Sequence, residues 1–260
     1  MLNMTAVYIM AGSLGLCIGS FLNVVIYRLP AGQSLARPRS RCPLCGGTIR
    51  WYDNIPVLSY ILLGGKCRRC GGRISFRYMA VELLNAAAWL LCVWRLWESG
   101  PYYATAAAFA LSALICISFI DMMTLEIPDM LLAVYAALAT AVFVTGDAGK
   151  WFNHIVSLAV CGGFFAVFYL AGRFISKREV MGKGDIVIAA VSGLMLGLSG
   201  ALFGLLVASV TASLCIITIK TIRKNGRYTE YPFAPYLAFG TAAALLFAKS
   251  VTDYYLKLFD

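Results

Sequence analysis

The sequence predicts an all-helical, multi-pass membrane protein: about eight transmembrane helices, with a small zinc-ribbon-like cytoplasmic insertion between the first and second. Three observations carry this. Of 260 residues, 61% are hydrophobic and only 13% charged, with a mean hydropathy of +0.79, whereas soluble domains are about one quarter charged. The apolar residues fall into successive runs near the length needed to cross a bilayer, about 20 residues as a helix. The main polar interruption holds four cysteines in two closely spaced pairs.

In chain order the apolar runs are 4–27, 78–97, 102–120, 130–146, 151–172, 185–199, 201–220 and 232–249. The sixth is short and glycine-rich, and it is divided from the seventh at Gly197-Leu198-Ser199-Gly200. The first run lacks a basic leading region and carries its positive charge at the far end, Arg28, so a retained helix is expected and not a removable signal. Cys17, Cys92, Cys116, Cys161 and Cys215 sit singly in apolar runs, where a thiol acts as a small hydrophobe. Eighteen of the 22 lysines and arginines lie in 28–77, 173–183 and 220–227. The excess of Lys and Arg in cytoplasmic loops then places both termini on the non-cytoplasmic side, in agreement with an even number of spans. The net charge of +10 is thus mainly topological, with membrane lipid as the expected partner and no nucleic acid. The organisation predicted is a first helix (1–28), a four-cysteine cytoplasmic loop (29–77) and a seven-helix membrane domain (78–260).

Within the loop, Cys42-Pro43-Leu44-Cys45 and Cys67-Arg68-Arg69-Cys70 each run into a glycine pair, Gly46-Gly47 and Gly71-Gly72. Glycine after such a pair lets backbone amides approach the sulfurs, and two such knuckles complete a tetrahedron, the pattern of a closed structural Zn site. A redox dithiol or an unmetallated loop is the alternative. A cytoplasmic location disfavours disulfides, and a metal would supply folding energy that about fifty polar residues cannot draw from a core.

Among twelve acidic residues, most lie in loops and are adequately read as solvated. Glu82, about one turn into the second span, is expected to face protein and meet an arginine, in a structural role. Asp121 closes the third span and Asp185 opens the sixth, behind Met181-Gly182-Lys183-Gly184, so topology puts both at one membrane face. Two carboxyl groups in one site do not both ionise cheaply, and one can act as base toward water. Plainer readings are a water-facing helix end for Asp121 and an N-cap for Asp185. Pro128 and Asp129 have the look of a helix start, with an acid in the first turn. A transporter relaying protons through buried carboxylates and a non-catalytic assembly scaffold are the competing functions, although transporter sites usually lie near the bilayer midplane.

Several ordered motifs together resemble one family. They are Gly19-Ser20-Phe21-Leu22-Asn23-Val24-Val25-Ile26-Tyr27-Arg28-Leu29-Pro30, the paired-cysteine loop, Ser75-Phe76-Arg77-Tyr78 with Val81-Glu82-Leu83, Asp121 with Ile127-Pro128-Asp129, Gly182-Lys183-Gly184-Asp185, and Pro232-Phe233-Ala234-Pro235-Tyr236. The pattern is similar to the type IV prepilin peptidases, bifunctional leader peptidases/N-methyltransferases of the GxGD aspartyl-protease group. The resemblance implies that Asp121 and Asp185 are the catalytic pair, with Gly182, Lys183, Gly184, Pro128 and Asp129 shaping the site. It implies prepilin or pseudopilin substrates, cut after a glycine at the cytoplasmic face of the inner membrane and then N-methylated from S-adenosylmethionine. Two positions depart from the family pattern: Val187 stands where a lysine is common, and Ala234 where a glycine is. No residues for the methyl donor are legible.

Overall fold

The computed structural model describes residues 3–37, 39–146, 148–176, 181–223 and 231–256. Its helices are α1 (Met4–Arg28), the short α2 (Leu58–Leu62), α3 (Phe76–Leu96), α4 (Pro101–Thr124), α5 (Asp129–Gly146), α6 (Trp151–Ser176), α7 (Lys183–Arg223) and α8 (Ala234–Leu256). Among the described residues six helices are long and apolar enough to cross a membrane, and α8 adds a shorter apolar stretch, Ala234–Lys249. Among the described residues no strand forms; a helix satisfies its own backbone groups within the bilayer. The sixth and seventh runs of the sequence are two helical legs within α7, separated at Gly197 (φ 70°, ψ 173°) inside the stretch where the sequence divides them. The chain divides into two compact units, Met1–Trp94 and Arg95–Asp260.

In the first unit α1 and α3 pack antiparallel through small residues. A Cβ on Gly15 would lie 2.7 Å from the Ala86 Cα, and one on Gly19 2.7 Å from the Glu82 Cα. Glycines four apart let helix backbones meet where lipid gives no hydrophobic drive. Polar side chains line the same seam. The Asn85 amide donates to the Gly15 carbonyl at 2.7 Å and the Asn23 amide to the Tyr78 carbonyl at 3.0 Å. Glu82 ties the insertion to this seam: its Oε2 accepts the Val57 N–H at 2.7 Å, and Ser20 bonds it as well. Val57 is held at φ 60°, an uncommon backbone region for a β-branched residue, costing on the order of 1–3 kcal/mol unless its surroundings fix it. In the insertion, Arg68 grips Asp53 through both carboxylate oxygens, with a closest approach of 2.7 Å.

In the second unit three helices leave one end in the same direction. Ser192 on α7 bonds both Tyr135 on α5 and Thr241 on α8, and each lies six or seven residues past its helix's opening segment at Asp129, Asp185 or Ala234. Beyond Gly197, α7 instead runs antiparallel to α8, with Gly204 beside Gly240 and Ala244, and Gly240 beside Ala208. The chain therefore reverses at Gly197, which makes two legs from one element and accounts for the boundary placed there from sequence. The reversal is packed tightly, since a Cβ on Gly197 would meet the Asn153 amide at 2.9 Å. Buried His154 bonds the Leu194 carbonyl through Nδ1 at 2.7 Å.

Candidate functional site

Asp121 sits in the last turn of α4, which closes on a left-handed Leu125 whose N–H bonds the Asp121 carbonyl. Asp185 sits in the first turn of α7 and its N–H bonds the Gly182 carbonyl at 3.2 Å. Both side chains are buried, at 5% exposure each, and they are close enough for the Asp121 charge to act on Asp185. The surroundings of the two differ. Asp121 Oδ2 accepts the Ala234 N–H at 3.0 Å, with the Phe233 N–H contributing, so the opening turn of α8 holds this carboxylate in place. Asp185 Oδ1 is buried and has no hydrogen-bond partner among the described residues. A buried carboxylate oxygen left uncommitted is costly unless a ligand or water uses it.

The two glycines before Asp185 do different things. A Cβ on Gly184 would crowd Ile127, at 2.8 Å from Cδ1 and 3.1 Å from Cβ, so the chain's own Ile127 fills that space. Gly182 is exposed, and a Cβ there would touch Asp185 Oδ2 at only 3.5 Å, leaving open room beside the carboxylate. Lys183 is exposed at the start of α7, Pro128 immediately precedes α5, and Asp129 is an exposed acid in its first turn. Of the basic loop before the motif, Lys177, Arg178 and Glu179 lie outside the described residues, as does Glu230.

About 10 Å deeper along these helices, the Tyr135 hydroxyl meets Ser192 Oγ at 2.7 Å, and Thr241 donates to Ser192 at 3.1 Å. All three are buried, and Ser192 and Thr241 line a cavity of about 10 Å³, room for one water. Removing the central hydroxyl takes the partner from two other buried hydroxyls. Ser192→Ala is expected to cost about 2–4 kcal/mol, read as a lowered unfolding midpoint in detergent. Ser192→Thr should be tolerated, because it keeps the hydroxyl and the cavity has room for its methyl.

The four cysteines of the insertion gather as the sequence predicts. Their sulfurs all lie within 4.8 Å of one another, and Cys42 Sγ and Cys70 Sγ are 3.9 Å apart. Metal–sulfur bonds of about 2.3 Å in a tetrahedron put sulfurs about 3.8 Å apart, so the cluster can hold a metal ion. Each knuckle turns on a left-handed glycine, Gly46 (φ 66°) or Gly71 (φ 69°). The backbone N–H groups of Cys70 and Arg69 bring the Cys67 thiol down to about 7. At Cys70 the Gly72 N–H pulls the same way, but desolvation and the three neighbouring thiols outweigh it and push the thiol up to about 11. Four crowded sulfurs cannot all become thiolates without a cation among them.

The sequence places Asp121 near Asp185 and the four thiols together, as the structure does, and it gives no sign of the α8 amide that holds Asp121 or of the hydroxyl chain beneath the pair. A backbone N–H carries no side-chain signature, and Ser192 and Thr241 read as ordinary small polar residues in apolar runs.

Fold and site define a multi-pass membrane protein with a buried carboxylate pair at a helix end and a metal-type cysteine cluster in a polar insertion. Residues 13–96 match the bacterial peptidase A24 N-terminal domain and 108–217 the type IV leader peptidase family; the latter span holds both aspartates. The prepilin leader peptidase/N-methyltransferase of Burkholderia pseudomallei (strain 1026b) is 35% identical over 274 residues, covering 94% of this chain and 86% of its own. The type 4 prepilin-like proteins leader peptide-processing enzyme of Escherichia coli O78:H11 is 36% identical, covering 89% and 90%. The corresponding Myxococcus xanthus leader peptidase/N-methyltransferase is 37% identical over 82% of this chain, a match spanning 63% of the Myxococcus protein. No solved structure matches. The chain belongs to the type IV leader peptidase family.

Proposed function

We propose that this chain is an aspartyl endopeptidase of the bacterial inner membrane that removes the basic leader of type IV prepilins or pseudopilins after a glycine, and N-methylates the new N-terminus. The observation that carries the peptidase is the closeness of Asp121 and Asp185, both buried, one held by amides at the start of α8 and the other with an oxygen uncommitted among the described residues. Two carboxyl groups whose charges act on each other in a buried site do not both ionise cheaply, so one can stay protonated while the other is ionised. The ionised partner takes a proton from water as its oxygen adds to the scissile carbonyl carbon, while the protonated partner gives its proton to the carbonyl oxygen. Collapse of the tetrahedral intermediate breaks the C–N bond, and a proton passes to the leaving nitrogen. The products are a leader ending in a carboxylic acid and a mature chain with a free amine, the group then methylated. Exposed Gly182 beside Asp185 leaves room for an extended substrate backbone, and Lys183 lies at the same mouth.

With both termini on the non-cytoplasmic side, the pair lies at the cytoplasmic face, where a basic leader meets an apolar helix. The four thiolates would hold a Zn²⁺ that folds residues 29–77 as a separate subdomain. The methyl donor in this reading is S-adenosylmethionine. The described residues form no strand–loop–helix cradle of the soluble type for it, and none is assigned to it here. Incubating the purified protein with a prepilin and S-adenosylmethionine should yield, by intact mass, the leader-free chain carrying one added methyl group. A substrate of unchanged mass would refute the function.

A further inference from the structure

The insertion ends in an apolar surface whose depth is set by the fold. Val57, directly before α2, gives its N–H to Glu82, and Glu82 lies six residues inside α3. At 1.5 Å per residue that is about 9 Å along the helix from its start. The 24-residue span Phe76–Ser99 is about 36 Å long against a hydrocarbon core of about 30 Å. A centred span overhangs the core by about 3 Å at each end, so Glu82 lies about 6 Å inside it and the start of α2 is drawn into the top of the acyl region, next to the headgroups. A second contact says the same: Glu82 also bonds Ser20, eight residues inside the end of α1 at Arg28.

What α2 shows at that depth is apolar. Leu58, Ile61 and Leu62 are 58%, 63% and 82% exposed, and Trp51, in the preceding 3₁₀ turn, is 81% exposed. The turn and α2 are joined by the Ser59 hydroxyl donating to the Tyr52 carbonyl at 2.9 Å. Such a face in a cytoplasmic loop has no reason to be apolar if it meets only water. The charge around it has one sign: residues 29–77 carry nine lysines and arginines and a single acid, Asp53, which Arg68 already engages.

We infer that the insertion is an interfacial device: α2 and Trp51 sit in the acyl–headgroup boundary, and the surrounding basic residues bind the phosphates of anionic lipids. An amphipathic segment with a tryptophan and basic neighbours partitions this way, and each Lys or Arg near an anionic surface adds to the attraction. An acidic protein partner would satisfy the charge but not the depth imposed by Glu82. The leader of a prepilin is itself basic and would be repelled.

The test uses the full chain in nanodiscs. In the Trp51→Phe background, Leu62→Trp places a fluorophore on α2, and its emission is taken as the difference from Trp51→Phe alone. Lipids brominated near the top of the acyl chain should quench that difference signal, and also the difference between the parent and Trp51→Phe. Trypsin cleavage after Arg50, Arg69 and Arg73 in the parent protein, followed by mass spectrometry, should be about tenfold slower in discs containing phosphatidylglycerol than in phosphatidylcholine alone. High salt should remove that difference. Unquenched signals would overturn the boundary placement and leave the surface as a protein-docking face. Equal trypsin rates in the two kinds of disc would overturn the lipid-phosphate assignment.

Discussion

Asp121→Asn and Asp185→Asn are each expected to lower leader removal by roughly 10³-fold or more, the scale seen when one member of a catalytic unit is lost. Asparagine is the informative substitution. It keeps an oxygen that can accept the Ala234 N–H now bonded to Asp121 at 3.0 Å, so the contact between α4 and α8 can survive while the ionisable group is lost. At Asp185 it keeps the volume of a side chain only 5% exposed. Inactivity of both variants, with unfolding midpoints near the parent's, would assign the loss to chemistry. Cleavage at the parent rate by both would remove the pair from the mechanism.

The second large effect belongs to the cysteines. Cys42→Ser with Cys45→Ser is expected to abolish the binding of about one metal equivalent per chain, measured by elemental analysis, because a closed site needs all four thiolates. The described residues of 29–75 contain little regular structure, with only a four-residue 3₁₀ turn and the five-residue α2 as helix. Losing the ion should therefore make this segment the first cut by protease while the membrane helices stay intact. Acidification should release metal from the parent protein too, since each thiol must give up its proton to bind. Unchanged metal content in the double variant would show that the four sulfurs within 4.8 Å are not the metal's ligands.

Much of this molecule could be read before its coordinates. Hydropathy located the helices because a bilayer permits few alternatives, and cysteine spacing located the thiol cluster because knuckles are local structures. The Asp121–Asp185 meeting followed from topology: a residue closing one helix and a residue opening another of opposite direction must share a membrane face. What failed to show was whatever depends on register between helices. The division at Gly197-Leu198-Ser199-Gly200 is legible, but not which of its residues takes φ 70° and reverses the chain. Gly184 is legible only as a residue that shapes the site, and the sequence does not say that its space is taken by Ile127. Glu82 was identifiable as a carboxylate facing protein, but its main contact, a backbone N–H from residue 57, gives no sign in the sequence.

The claim on which the function rests is that the two aspartates act as one unit. Single-turnover leader removal by the parent, Asp121→Asn, Asp185→Asn and the double variant measures this directly. The double variant should be no slower than the slower single variant, because a pair sharing one proton is disabled by the loss of either member. Multiplying losses, with the double variant slower by the product of the two single effects, would show that the carboxylates act independently and would contradict the shared site.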